Sequence, residues 1–294
     1  MSATSELERV NINSLSKVEK DALTENIFYR KSYFQTLFNN KDNVELNCEQ
    51  SARRLRSEID RLLLEKNLLA EPVPLENLHQ YVSEEIKAYN INDGVNKISS
   101  LFYDTDDVFQ EAYYQLIRDL RKNYFPEPFW FQATPTIRIH CPNGINNHHY
   151  PRYHNDIAYG HPPEEINLWL PLTSVLTGHG FRTMSLLSSI EVMKKFNFNF
   201  DSLIQNAIED KVFSNYCDEL SNPVTTELGN ILAFDSRCIH TGEPLKIHTR
   251  ASMDIRILPT AQYEKMDIQY QGSGRRKILF APGHCYHEKN SDHI

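Results

Sequence analysis

The sequence predicts an α+β protein, with a helical first third followed by an antiparallel β barrel or sandwich. Up to about residue 125, apolar residues recur three and four apart with charges between them, the period of amphipathic helices. From Phe129 onward the texture changes to short β-branched and aromatic runs separated by turn residues. A chain of 294 residues is long enough for one such core carrying helical additions.

Four helices are expected in the first region. The segments "SKVEKDALTENIFYRKSYFQTLF" and "NCEQSARRLRSEIDRLLLEKNLL" show the clearest periodicity, and Asn47 is the expected N-cap of the second. "PLENLHQYVSEEIKAYN" reads as a third helix. "DTDDVFQEAYYQLIRDLRKNYF" reads as a fourth, with acids in its first turn and bases in its last, as the helix dipole favours. Pro126 and Pro128 then stop it. Strands are expected in "FWFQATPTIRIH", "INLWLPLT", "FRTMSLLSS", "GNILAFDSRCIHTGEP", "IHTRASMDIRILP" and "RRKILFAP". A mostly helical insertion is expected over 190–223. The resulting division is a helical region, 1–125, packed on a β core, 126–294. No flexible linker marks the boundary.

Bulk properties narrow the function classes. The net charge of −8 argues against a nucleic-acid partner. No apolar run is long enough for a transmembrane helix, and the polar N-terminus lacks the apolar stretch of a secretion signal. The five cysteines are odd in number, scattered and without a CxxC pair, so reduced thiols in a cytoplasmic protein are expected. These readings leave a small-molecule substrate as the expected partner and the oligomeric state open.

The chemistry concentrates in a few residues. His154 and Asp156 are two apart and project together if their segment is extended. An imidazole beside a carboxylate suits a first-row divalent metal. The best third ligand is His240, at the end of an apolar run and just before the turn Thr-Gly-Glu-Pro. Zinc-finger spacing is absent, which removes a structural zinc site. Two histidines and one carboxylate leave about three positions open around a metal, the facial triad of non-haem Fe(II) oxygenases. Downstream, alternation places Arg250, Ser252, Asp254 and Arg256 on one strand face, and Ala251, Met253, Ile255 and Ile257 on the other. An inward arginine is costly unless it meets an anion, and its planar fork matches a carboxylate.

His154-x-Asp156, a distal His240 and Arg250-x-Ser252 together resemble the Fe(II)/2-oxoglutarate-dependent dioxygenases on the double-stranded β-helix (jelly-roll, cupin-like) fold. "GNILAFDSRCIHTGEP" resembles the stretch that carries their distal histidine. "TPTIRIHCP", "HNDIAYGHPPEEINLWLPLT" and "TRASMDIRILP" are similar to the phytanoyl-CoA dioxygenase-type branch, and most of all to StrG-like proteins of aminoglycoside clusters. The resemblance covers roughly residues 130–260. It implies Fe(II) on His154, Asp156 and His240, and 2-oxoglutarate and O2 as co-substrates. Arg250 would hold the far carboxylate of 2-oxoglutarate with help from Ser252. Arg256, on the same face, competes for that role, and either arginine is a partner for Asp254.

Other residues carry open alternatives. Arg138 and His140 share a face and contact either the co-substrate or an acid on a neighbouring strand. Asn167 is a candidate donor to a co-substrate oxygen; Trp169 lines the pocket or packs in the core; Thr183 is a further pocket candidate. Tyr159, Gly160 and His161 are placed in a loop by the pocket. The adjacent His148 and His149 point apart and are not expected to be ligands. The tail with Cys285 and three histidines is expected to fray. The expected activity is hydroxylation of an unactivated C–H in a small polar metabolite (an amino sugar, cyclitol or amino acid), releasing succinate and CO2. A cupin-like metal-dependent sugar isomerase, epimerase or hydrolase on the same triad is the first rival. A non-catalytic β-sandwich binding module is the second.

Overall fold

The computed structural model describes residues 9–90, 95–142, 153–175, 180–243, 245, 247–272 and 277–294. A two-residue strand β1 (Val10–Asn11) precedes α1 (Lys17–Tyr29) and α2 (Tyr33–Leu37). The sequence reads these two helices as one. Ser32 breaks the run, because it caps α2 with a reciprocal Ser32–Gln35 capping box. Next come β2 (Asn43–Asn47) and α3 (Glu49–Glu65). Asn47 is therefore not the cap of α3. It ends a strand, its amide reaches Asn230, and Cys48 holds the cap position without a side-chain bond.

The expected third helix is a 3-10 turn (Leu75–Gln80) and a short α4 (Glu84–Lys87). The small elements β3 (Tyr89–Asn90), β4 (Val95–Asn96) and α5 (Lys97–Ser100) lead to α6 (Asp107–Asn123). In α6, Asp106 caps the amide of Phe109, and Arg121 and Lys122 lie in the last turn. α3 and α6 pack together through Leu55, Ile59, Leu62, Phe109, Leu116 and Leu120, all buried. Each such side chain contributes about 1.5–3 kcal/mol when fully buried.

The β half runs β5 (Phe129–Phe131), β6 (Thr136–His140), β7 (Ile166–Pro171), β8 (Phe181–Met184), β9 (Ser221–Val224), β10 (Asn230–Asp235), β11 (His240–Gly242) and β12 (Arg250–Pro259). α10 (Thr260–Glu264) and β13 (Ile268–Gln269) follow, and β13 pairs with β1. The insertion holds α7 (Leu186–Lys195), α8 (Phe200–Glu209) and α9 (Lys211–Leu220). It starts four residues earlier than expected, because Ser185 caps α7 directly after β8. "RRKILFAP" forms no strand among its described residues beyond two isolated bridges, Leu279 with Gln271 and Pro282 with Tyr286.

Besides the two-stranded pairs β1–β13 and β3–β4, the described strands make two antiparallel sheets. The larger has the order β2-β10-β7-β12-β5, with β6 also on β12. The smaller has the order β11-β8-β9, extended by a bridge between His154 and His240. From β6 onward the chain alternates between them: β6 large, His154 small, β7 large, β8 and β9 small, β10 large, β11 small, β12 large.

Register fixes the two faces of the large sheet. Ile137, Ile139, Ile166, Leu168, Leu170, Ile231, Ala233, Ala251, Met253, Ile255 and Ile257 join α3 and α6 in one apolar core. The opposite face turns toward the small sheet. There Arg256 faces Asn167, Asp254 faces Trp169, Ser252 faces Arg138, and Arg250 faces His140.

The C-terminal segment is packed, contrary to the expected fraying. Tyr286 is fully buried, the His287 ring stacks on Phe131, and the Ser291 hydroxyl accepts from the amide of Phe129. Among the described residues, no helix is long and apolar enough to cross a membrane.

Candidate metal centre

His240 opens β11 and exchanges both backbone hydrogen bonds with His154, at 3.1 and 2.8 Å. The two rings consequently lie side by side, with centroids 4.5 Å apart. Asp156 is placed differently from the extended geometry read in the sequence. It begins a 3-10 turn (Asp156–Tyr159) capped by the Asn155 side chain, which accepts from the amide of Ala158. The turn brings Asp156 Oδ1 to 3.7 Å from Nε2 of both histidines. One donor atom from each of the three residues lies within 4.8 Å of the others.

The surroundings suit a metal. His240 Nδ1 lies 3.0 Å from the carbonyl of Cys238 and donates to it, leaving Nε2 as the lone-pair donor toward the site. Burial holds His240 below its ordinary value near 6.5, which favours the neutral, ligating form; the nearby Asp156 opposes this shift. Burial alone would raise the Asp156 carboxyl. The Arg256 guanidinium, followed by His161, His240 and His154, outweighs it and holds Asp156 well below 3.8. Asp156 is 3% exposed and His154 26%, so the site opens on the His154 side. Tyr159 meets the His154 ring edge-on at 5.2 Å.

The predicted co-substrate residues divide into distinct environments. Arg256 donates from Nε to Asp156 Oδ2 at 2.7 Å and from Nη1 to Gln132 Oε1 at 3.4 Å, so it is engaged with a ligand carboxylate. Arg138 pairs with Asp254 across the sheet at 2.5 Å, the acid-partner alternative for that residue. Arg250 is buried and its guanidinium lies over Gly242: a Cβ there would fall 2.9 Å from Nη2. Arg250 and His140 are cross-strand partners, and burial together with Arg250 and Arg138 pushes His140 well below 6.5.

Both polar atoms of the Asn167 amide are buried with no hydrogen-bond partner among the described residues. Ser252 and Thr183 are buried, Thr183 directly opposite His240. Trp169 stacks on Phe181 at 5.2 Å and belongs to the apolar floor. His161 binds Glu165 at 2.8 Å and packs on Phe280, while His148 and His149 lie outside the described residues.

Several contributors carry no signal that the sequence pattern picks out. Ser189 and Met193, one turn apart on α7, reach both ligand segments: Ser189 Oγ accepts from the amide of Ile239, and the Asn155 amide contacts Met193 Sδ at 3.9 Å. Glu165 is fully buried and takes a hydrogen bond from the Tyr286 hydroxyl. Arg237, 1% exposed, pairs with Asp235 at 2.8 Å and donates to the carbonyls of Ile27, Phe28 and Arg30 at the end of α1. The one legible signal for that pair is Asp-x-Arg inside an apolar run. A cavity of about 680 Å3 beside α1, α2 and α7, lined by Tyr29, Leu187 and Lys194 among others, contains no triad residue.

Eight strand positions alternating between two facing sheets, with His-x-Asp and a distal histidine meeting on the smaller one, decide the architecture. The core is a double-stranded β-helix. No family model matches the chain. The chain is similar to the streptomycin biosynthesis protein StrG of Streptomyces griseus. The two are 26% identical over 216 residues, which cover 73% of this chain and 88% of that one. Two solved structures are loosely similar. The non-haem alpha-ketoglutarate-dependent carbocyclase SnoK from nogalamycin biosynthesis gives a TM-score of 0.43 at 11% identity, over 84% of this chain and 87% of that one. EctD from S. alaskensis with bound Fe gives 0.46 at 9% identity, over 79% and 78%.

Proposed function

We propose that this protein is an Fe(II)/2-oxoglutarate-dependent oxygenase that hydroxylates an unactivated C–H of a small polar biosynthetic metabolite. The observation that carries the reading is the clustering of His154, Asp156 and His240, with Asp156 Oδ1 turned to both imidazole Nε2 atoms. Two neutral nitrogens and one carboxylate oxygen fit Fe(II) and leave coordination positions for other ligands. When bound, iron with 2-oxoglutarate and O2 supplies an oxidant strong enough for such a bond, with succinate and CO2 as co-products.

The protein's own part is binding and orientation. Arg250, buried on the β12 face that turns toward the small sheet with its guanidinium over Gly242, is the anchor for the far carboxylate of 2-oxoglutarate. Gly242 leaves the space that the Arg250 guanidinium occupies. Asn167, across from Arg256 on β7, offers a buried amide to a co-substrate oxygen. Ser252 and Thr183 are the smaller polar groups nearby in register. Trp169, Phe181 and Phe234 form an apolar floor that excludes water. The kinship with a streptomycin biosynthesis protein favours an amino sugar or cyclitol as substrate, with amino acids next.

The test is anaerobic loading with Fe(II) and 2-oxoglutarate. A visible charge-transfer band is expected, absent in His154→Ala. Succinate release is then screened against amino sugars, cyclitols and amino acids, with product masses read for one added oxygen. Metal binding without any response to 2-oxoglutarate would favour a metal-dependent isomerase, epimerase or hydrolase on the same triad.

A further inference from the structure

Arg256 competes in the sequence for the co-substrate role, and the structure gives it a different partner. Its Nε lies 2.7 Å from Asp156 Oδ2, the oxygen not turned toward the histidines. Both groups are largely buried, at 15% and 3% exposure. Gln132 steadies the other end of the fork. Its Oε1 accepts from Arg256 Nη1, and its own amide donates to the Thr134 carbonyl at 2.8 Å and to Thr136 Oγ1 at 3.1 Å. The Gln132 backbone is held in turn by the Tyr113 hydroxyl of α6, at 2.7 Å, and by a bridge to Tyr286. A chain of direct contacts thus runs from the helical region to one oxygen of a ligand carboxylate.

We infer that Arg256 is a positioning residue of the metal centre: it occupies Asp156 Oδ2, so that Asp156 offers the metal Oδ1 alone. The inference rests on the proposed metal site and adds two consequences. A carboxylate with both oxygens free can take two coordination positions, and one with an oxygen engaged by arginine takes one. The position saved is one that a chelating co-substrate needs. Arg256 also cancels the Asp156 charge, so two neutral imidazoles and a neutralised acid leave a divalent ion its full charge. That charge draws in a dianion such as 2-oxoglutarate. The division of labour between the arginines follows, with Arg256 acting on the ligand and Arg250 on the co-substrate.

The test uses Co(II), alone and then with 2-oxoglutarate, on the full chain, with Arg256→Gln and Arg256→Lys beside wild type. Calorimetry gives the affinities, and the cobalt d–d absorption reports coordination number. The Gln variant is expected to weaken Co(II) binding about 10–100-fold and to change the intensity of the d–d bands. The Lys variant, which keeps a donor able to hold Asp156 Oδ2, is expected to recover part of the affinity. If Arg256→Gln does not fold, by circular dichroism, Arg256→Lys carries the test through a smaller loss and the same band change. Unchanged Co(II) affinity and bands, with only 2-oxoglutarate binding lost, would overturn the inference and make Arg256 the co-substrate anchor. Wild type failing to bind Co(II) would overturn the metal site as well. Wild type binding Co(II) without responding to 2-oxoglutarate would overturn the proposed activity and leave the role of Arg256 to the variant comparison.

Discussion

Two buried arginine–aspartate pairs lie in the molecule, and they are built differently. At the junction with α1, Asp235 uses both oxygens: Oδ1 accepts from Arg237 Nε and from the Arg237 amide, and Oδ2 from Arg237 Nη2 and Ser32 Oγ. Arg237 is equally committed, with further bonds to the Ile27, Phe28 and Arg30 carbonyls and to Gln35. At the candidate metal centre Asp156 uses one oxygen for Arg256 and turns the other to two imidazoles at 3.7 Å. A pair with every lone pair taken is a fastener. A pair with one oxygen held back suits a candidate ligand and its support.

The comparison breaks most sharply at the fastener. Arg237→Ala strands a buried carboxylate and unties α1 from β10, and is expected to cost about 3–5 kcal/mol in urea melts. The fraction that remains folded should bind Co(II) like wild type. Asp156→Ala is expected to show the reverse, a smaller loss of about 1–3 kcal/mol and no measurable Co(II) binding by calorimetry. Metal binding that survived Asp156→Ala but not Arg237→Ala would invert the two roles.

Acid should separate the groups next. His140 is held well below 6.5 by burial, Arg250 and Arg138, so the unfolded chain binds its proton first as pH falls. Its contribution is fully present above about pH 6.5 and is lost progressively below, with a slope of at most about 1.4 kcal/mol per pH unit for that group. The apoprotein carries the same dependence through His240. Asp156, depressed below 3.8, keeps its contribution down to about pH 4 and loses it as pH falls further. Urea midpoints between pH 8 and pH 5 should therefore fall in wild type and fall less steeply in His140→Gln. The smallest effect on stability is expected from Gly242→Ala. The added Cβ meets only the end of the Arg250 side chain, so melts should agree with wild type within about 0.5 kcal/mol. Displacing that guanidinium should still weaken 2-oxoglutarate binding to the Co(II) form by calorimetry.

What is legible in the sequence follows from periodicity. β12 alternates strictly, so the pattern alone assigns its apolar residues Ala251, Met253, Ile255 and Ile257 to one face and its polar residues Arg250, Ser252, Asp254 and Arg256 to the other. The three donors are legible because His154 and Asp156 stand two apart and His240 ends an apolar run just before a turn. Partner choice is not. Arg250, Arg256 and Arg138 share a face and a charge; the 3-10 turn brings Asp156 to Arg256, and the β6–β12 pairing brings Asp254 to Arg138. β2 escapes notice because Val44 and Leu46 are too short a run to stand out between two helices. The role of Tyr286 is hidden because its partner Glu165 lies far away in the chain, and nothing local marks such a contact.

One feature of α7 bears on how an ion would be received. Ser189 and Met193 grip the residues flanking His240 and Asp156 from a single helical turn, and both are fully buried. The fold itself thus fixes the segments that carry the donors. Little conformational entropy is left to lose on binding and little apolar surface to bury, so the heat-capacity change of metal uptake should be close to zero. In this respect the centre is the opposite of a zinc finger, which has no structure until its ion arrives. Chelators should therefore empty the site without unfolding the chain.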